Sequence, residues 1–210
     1  MTTLDLGVLV SGRGSNLGAI LDAIADQKLE ARVRLVISNR ADAPALTRAE
    51  RAQVATRVIS HRDFSTREAF DQALVQALGA AGVEWVVLAG FMRVLTPVFL
   101  RAFPGRVINI HPALLPAFPG THAQRQALDY GVKVTGCTVH LVDEGVDTGP
   151  IIGQRVVPVL DDDDEERLAA RILEQEHQLL TEVLADLARG AWRVVPGADG
   201  GRARVRYRPA

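Results

Sequence analysis

The chain of 210 residues carries a formal net charge of -1, with 48% hydrophobic and 23% charged residues. These are ordinary values for a globular protein with a substantial core, and the charge balance leaves no basic footprint for nucleic acid or an acidic membrane. The single cysteine, Cys137, excludes an internal disulfide framework. Met1–Leu21 lacks signal-peptide character and no apolar run reaches bilayer length, so the expected setting is the reducing cytoplasm, without membrane contact.

In chain order, strands are expected at Leu4–Val10, Arg32–Ser38, Thr56–Ser60, Val83–Gly90 and Arg106–His111. Amphipathic helices fall between them near Asn16–Ala25, Ala45–Gln53, Ser65–Ala80 and Thr96–Phe103. Thr96 and Pro97 suit the N-cap and first position of the last of these. Such alternation predicts an α/β fold, a mostly parallel twisted sheet with helices on both faces. Ligands of such sheets collect beyond the carboxyl ends of the strands. Further on, a short helix within His122–Gly131 precedes two strands, Lys133–Val142 and Pro150–Val159, joined by the Asp- and Gly-rich stretch Asp143–Gly149. A long helix runs from Glu165 to about Arg189, and a short strand is expected near Ala203–Arg206. No repeat or linker composition divides the chain, which reads as one domain over 1–210.

Chemistry gathers at a few places. Gly12, Gly14, Ser15 and Asn16 lie between the first strand and first helix, where glycines permit a sharp turn and free helix amides favour an anion. The stretch lacks the ending of a Walker A loop, and Leu17 fills the third glycine position of GxGxxG, so a plain tight turn is the alternative. Asn109 and His111 interrupt an apolar strand at i and i+2 and therefore share a face, with Pro112 ending the strand at once. They are either a satisfied amide and imidazole or an acyl-transfer pair, one holding an oxyanion and the other moving a proton. A carboxylate to orient the imidazole is offered by Asp143, Glu144 or Asp147, and spacing does not choose among them. On the long helix, Glu176 falls near the middle of an arc formed by Leu168, Ile172, Leu179, Leu180 and Val183. A carboxylate there needs a buried ion-pair partner or a substrate hydroxyl or amine.

Other features read as structural. Asp161–Glu166 suits a helix N-terminus, Cys137 reads as packing, and Arg202, Arg204, Arg206 and Arg208 alternate as on a wet strand face. His61, His122 and His177 share no ligand spacing, and no metal is expected. His140 leads into the acidic loop and is left open.

Taken together, "SGRGSN", "SNRADAPAL", "LAGFMRVL", "NIHPALLPAFPG" and "DEGVDTGPII" resemble, in order and from Val8 to about Trp192, the glycinamide ribonucleotide formyltransferase family. The resemblance implies a formyltransferase fold. Its Rossmann-like nucleotide-binding half would span about 1–105 and its catalytic and folate-binding half about 106–210. It further implies formyl transfer from the co-substrate 10-formyltetrahydrofolate to the amine of 5-phosphoribosylglycinamide, a step of purine synthesis. Asn109, His111 and Asp147 match the catalytic trio. Gly14, Ser15 and Asn16 match the phosphate segment, and Glu176 matches the acid that holds the ribose. Arg67, Met92, Arg93, Val94 and Leu95, together with Asn109, Asp143 and Glu144, match folate-site positions. Val94 and Ala113 are modest variants of the usual residues. Leu173 stands where some members place a basic or polar contact one turn before the acid, so that contact is absent. On this reading Asp147 holds His111 as an imidazolium, which with Asn109 stabilises the oxyanion of a direct attack.

Three rivals are weighed. Methionyl-tRNA formyltransferase is expected to be longer and more basic, and formyltetrahydrofolate hydrolase to carry a preceding regulatory domain. A non-enzymatic nucleotide-binding module explains the glycine turn but not Asn109, His111 and the acidic loop together.

Overall fold

The computed structural model describes residues 3–197 and 201–208. The elements alternate through β1 (Leu4–Val10), α1 (Ser15–Ala25), β2 (Ala31–Ser38), α2 (Pro44–Arg51), β3 (Thr56–Val58), α3 (Arg67–Ala80) and β4 (Trp85–Leu88). They continue with α4 (Pro97–Ala102), β5 (Val107–His111), α5 (Ala123–Tyr130), β6 (Val134–Leu141), β7 (Ile151–Pro158), α6 (Glu165–Ala188), β8 (Trp192–Val195) and β9 (Arg204–Tyr207). Seven strands form one sheet in the order β3-β2-β1-β4-β5-β6-β7. Its first five strands run parallel, whereas β6 and β7 are antiparallel additions. The β6–β7 connection is too short for the crossover that a parallel pair requires.

Strand periodicity divides the core into two layers. Leu6, Val8 and Val10 pack with Leu17, Ile20, Leu168, Ile172 and Leu180 of α1 and α6. Leu9 of β1, with Ile37, Val86 and Leu88, faces Leu74, Leu78 and Phe99 of α3 and α4. The register shifts between Leu6 and Gly7, which lets Val33 and Val36 of β2 serve the same layer. Gly7 is required there, since a Cβ would come within 2.5 Å of Leu78 Cδ2 and 2.9 Å of Val83 Cγ1.

Helix ends follow local chemistry with one departure. Thr66 accepts from the Ala69 N–H at 3.1 Å, and Asp164 accepts from Arg167 at 2.8 Å. Thr96 sits at the N-cap position of α4, but its hydroxyl makes no cap bond. The buried Asp71 carboxylate instead accepts the Thr96 N–H at 2.5 Å. The strand β8 was not expected from sequence. It pairs with β9 in a separate two-stranded ribbon, and Trp192 anchors it edge-on against Trp85 at 6.1 Å. Among the described residues, no helix is long and apolar enough to cross a membrane.

Candidate active site

The face of β5 that carries Val107 into the α3/α4 layer becomes polar toward the strand's carboxyl end. Asn109 and His111 lie on it, and the antiparallel register sets His140 opposite Asn109 and Thr138 opposite His111. Asn109 Nδ2 is 3.1 Å from His140 Nε2, and His140 Nδ1 is 2.8 Å from the Leu141 carbonyl. With Nδ1–H donated to that carbonyl, Nε2 is left to accept from the amide. The second N–H of Asn109 then remains for a developing negative oxygen.

Beyond Pro112 the chain folds back over His111. Its Nε2–H donates to the Phe118 carbonyl at 2.8 Å, while Nδ1 lies 3.3 Å from Asp147 Oδ2. The Gly120 N–H donates to that same carboxylate oxygen at 2.7 Å, and Asp147 Oδ1 is 3.6 Å from His140 Nε2. Asp147 and Phe118 both hold positive φ, at 54° and 53°. Non-glycine residues adopt that region only where neighbours over-determine it. Of the three acids in the loop, Asp147 alone reaches the imidazole. Asp143 caps its own turn, accepting from the Gly145 N–H at 3.1 Å and the Thr148 hydroxyl at 2.6 Å, and Glu144 is exposed.

Burial is the largest influence on His111 and pushes its pKa below the ordinary 6.5, against the opposing Asp147 charge and Phe118 carbonyl. Desolvation thus favours the neutral ring in the free protein, while the facing Asp147 carboxylate favours the imidazolium expected from the family resemblance. For Asp147, burial pushes upward. His140 and the His111 ring, whenever they carry a proton toward the carboxylate, together with the Gly120 N–H outweigh it, so the carboxyl lies below its usual value.

Gly14 adopts φ 69° at the N-cap of α1, where a Cβ would meet Ala45 Cβ at 2.5 Å. No side chain among the described residues caps that helix, which leaves the amides of its first turn available to an anion. Asn16 donates from Nδ2 to Glu176 Oε2 at 2.8 Å, and its buried Oδ1 has no partner among the described residues. Burial pushes the Glu176 carboxyl upward, with the Asn16 bond opposing. Its partner is thus an amide rather than the cation of an ion pair.

A third group of positions follows β4. Met92 and Val94 are exposed, Leu95 is buried, and Arg67 from α3 donates to the Val94 carbonyl at 2.8 Å. This segment, the glycine turn and the β5 end all lie at the carboxyl edge of the parallel strands.

A family model described as formyl transferase matches residues 5–184. The chain belongs to the formyl transferase family. Phosphoribosylglycinamide formyltransferase of Escherichia coli (strain K12) is 43% identical over 202 residues, covering 95% of both chains. The trifunctional purine biosynthetic protein adenosine-3 of Drosophila pseudoobscura pseudoobscura is 54% identical over 192 residues, which are 90% of this chain but 14% of that protein. The chain thus spans about a seventh of that insect protein's length. The crystal structure of glycinamide ribonucleotide transformylase 1 from Symbiobacterium toebii superposes with a TM-score of 0.93 at 50% identity, covering 98% of this chain and 94% of that one.

Among the residues around β5, the sequence pattern left His140 open and did not reach Phe118 or Gly120. His140 was within reach of pattern, because a histidine at i+2 from Thr138 faces the polar side of β6. Phe118 and Gly120 act through backbone groups, which no side-chain motif reports.

Glu176 supplies a pH test. Its folded pKa lies above the ordinary 4.5, so the native state holds that proton more tightly than the unfolded chain. The resulting stability is full below the ordinary value and is lost as pH rises through the folded one. Glu176→Gln is expected to raise the Tm near neutral pH and to converge with wild type in acid. A Tm difference that stays constant across the pH series would contradict the upward shift.

Proposed function

We propose that this protein transfers the formyl group of 10-formyltetrahydrofolate to the amine of 5-phosphoribosylglycinamide, within a single domain over 1–210 whose extreme ends lie outside the described residues. The observation that carries the reading is the convergence of Asn109, His111 and Asp147 at one strand end. The activity named for the bacterial relative, which this chain covers almost fully, supports it.

The uncapped turn at Gly14, Ser15 and Asn16 suits the substrate phosphate. Glu176 and the unpartnered Asn16 Oδ1 suit the ribose hydroxyls, which donate to both. Arg67 and the Met92–Leu95 segment, with Asp143 and Glu144 at the mouth of the acidic loop, suit the folate. In the reaction the amine nitrogen bonds to the formyl carbon, and the carbonyl electron pair moves onto oxygen, where the free Asn109 N–H meets it. Neutral His111 receives the proton that the attacking nitrogen sheds. The ring then carries its charge between Phe118 O and Asp147, which are already placed as acceptors for both N–H groups. The proton passes to the departing folate nitrogen as the bond to the formyl carbon breaks, giving tetrahydrofolate and the formylated amine.

The test mixes protein, 5-phosphoribosylglycinamide and 10-formyltetrahydrofolate and follows tetrahydrofolate release. Release that requires the amine substrate is the expected result. Release without it would indicate a hydrolase, and none at all a binding module.

A further inference from the structure

The segment from Gly90 to Leu95 belongs to no helix or strand, so its backbone polar groups must be satisfied by other means. Ser11, at the end of β1, meets it twice. The Ser11 N–H donates to the Gly90 carbonyl at 3.1 Å, and Ser11 Oγ accepts from the Met92 N–H at 2.9 Å. The Ser11 hydroxyl in turn donates to Asn39 Oδ1 at 2.7 Å, and Asn39 Nδ2 lies 3.3 Å from His61 Nδ1. Ser11 and Asn39 are both buried.

These bonds run head to tail: Met92 N–H to Ser11, Ser11 O–H to Asn39, Asn39 N–H to His61. Ser11 and Asn39 each accept from the group before and donate to the group after, an arrangement in which successive bonds polarise one another. The four residues follow β4, β1, β2 and β3, so the chain of bonds crosses the carboxyl edge of the sheet. Phe91 is held from the same side, stacked on Phe70 at 6.5 Å, and His61 meets Phe70 edge-on at 6.2 Å. Ser11 also begins the turn that carries Gly14, Ser15 and Asn16. Among the described residues its hydroxyl bonds to Met92 and Asn39 and to no group of that turn.

We propose that Ser11, Asn39 and His61 form a positioning relay that fixes the Gly90–Leu95 backbone, so that affinity for the formyl donor depends on side chains acting through the Met92 amide. This rests on the functional reading above, in which Met92–Leu95 receives the folate. The relay needs His61 as an acceptor. Its pKa is lowered by burial first, then by the charges of Arg93 and Arg62, with Asp63 opposing. That favours the neutral ring, and the tautomer with its proton on Nε2 presents the Nδ1 lone pair to the Asn39 amide at 3.3 Å.

The experiment compares Ser11→Ala, Asn39→Ala, their double variant and Asn39→Asp, which keeps the acceptor for Ser11. A buried hydrogen bond contributes about 0.5–1.5 kcal/mol. Each alanine variant should therefore raise the KM for 10-formyltetrahydrofolate by about 3- to 10-fold, with kcat and the KM for phosphoribosylglycinamide within about twofold of wild type. The double variant should be no worse than the more severe single one, because both break one chain of bonds. Asn39→Asp should lie between wild type and Asn39→Ala. Hydrogen exchange at the Met92 amide, followed by NMR, should be slow in wild type and faster in Ser11→Ala. Equal increases in both KM values, additive effects in the double variant, or unchanged Met92 exchange would overturn the relay. If the wild-type protein transfers no formyl group, the functional reading fails by itself, and the Met92 exchange comparison alone decides whether the relay holds this backbone.

Discussion

His111→Ala is expected to slow formyl transfer by about 10²–10⁴-fold, the range for a positioned general acid–base group. The ring is buried, and both its nitrogens face oxygen acceptors, Phe118 O at 2.8 Å and Asp147 Oδ2 at 3.3 Å. Because burial lowers the His111 pKa from the ordinary 6.5, the proton-accepting form prevails at neutral pH. In wild type, kcat/KM should fall on the acid side only as pH drops through that lowered value, and this limb should vanish in the variant. The profile reports the free enzyme, as the structure does. Near wild-type transfer by His111→Ala would sink the assignment.

The second large effect is expected at Asn109. Replacing an oxyanion-hole donor costs on the order of 10²–10³ in kcat, and Asn109→Ala should fall in that range with a smaller change in KM. His140 explains why the amide is ready for this role. It accepts one N–H at Nε2 and thereby orients the other, so the amide need not reorganise as charge develops. Steady-state kinetics at saturating phosphoribosylglycinamide separate the two parameters. An effect confined to KM would mean that Asn109 binds the ground state and does no oxyanion work.

Much of the architecture could be read from pattern. The strand–helix alternation up to β5, the long helix α6 and the late strand near Arg204 all follow hydrophobic periods and turn residues that act over a few positions. The boundaries erred where tertiary contacts trim an element: the strand expected at Val83–Gly90 is Trp85–Leu88, because Gly90 and Met92 bond to Ser11 instead of extending a ladder. Pairing of β8 with β9 was hidden for a related reason. Trp192–Val195 is too short to declare itself and acquires strand geometry from its partner. The resting charge of His111 was not legible either, because it depends on how much water a fold removes, and sequence spacing carries no measure of that.

The period of two along Val107–His111 is local geometry, so the sequence by itself determined that Asn109 and His111 share a face. It likewise determined that Pro112 ends their strand and that Glu176 lies on a core-facing helical arc. Spacing left three acids open and the family resemblance named Asp147, but how that acid meets the imidazole is a matter of tertiary structure. The loop folds back over β5 and brings Asp147 to 3.3 Å while Asp143 is spent on its own turn. It also decided that Asn16, 160 positions away in sequence, is the partner of Glu176, and that His140 orients Asn109. Those contacts depend on strand order and register across the sheet, which are set by how the two core layers close together rather than by any short run of residues.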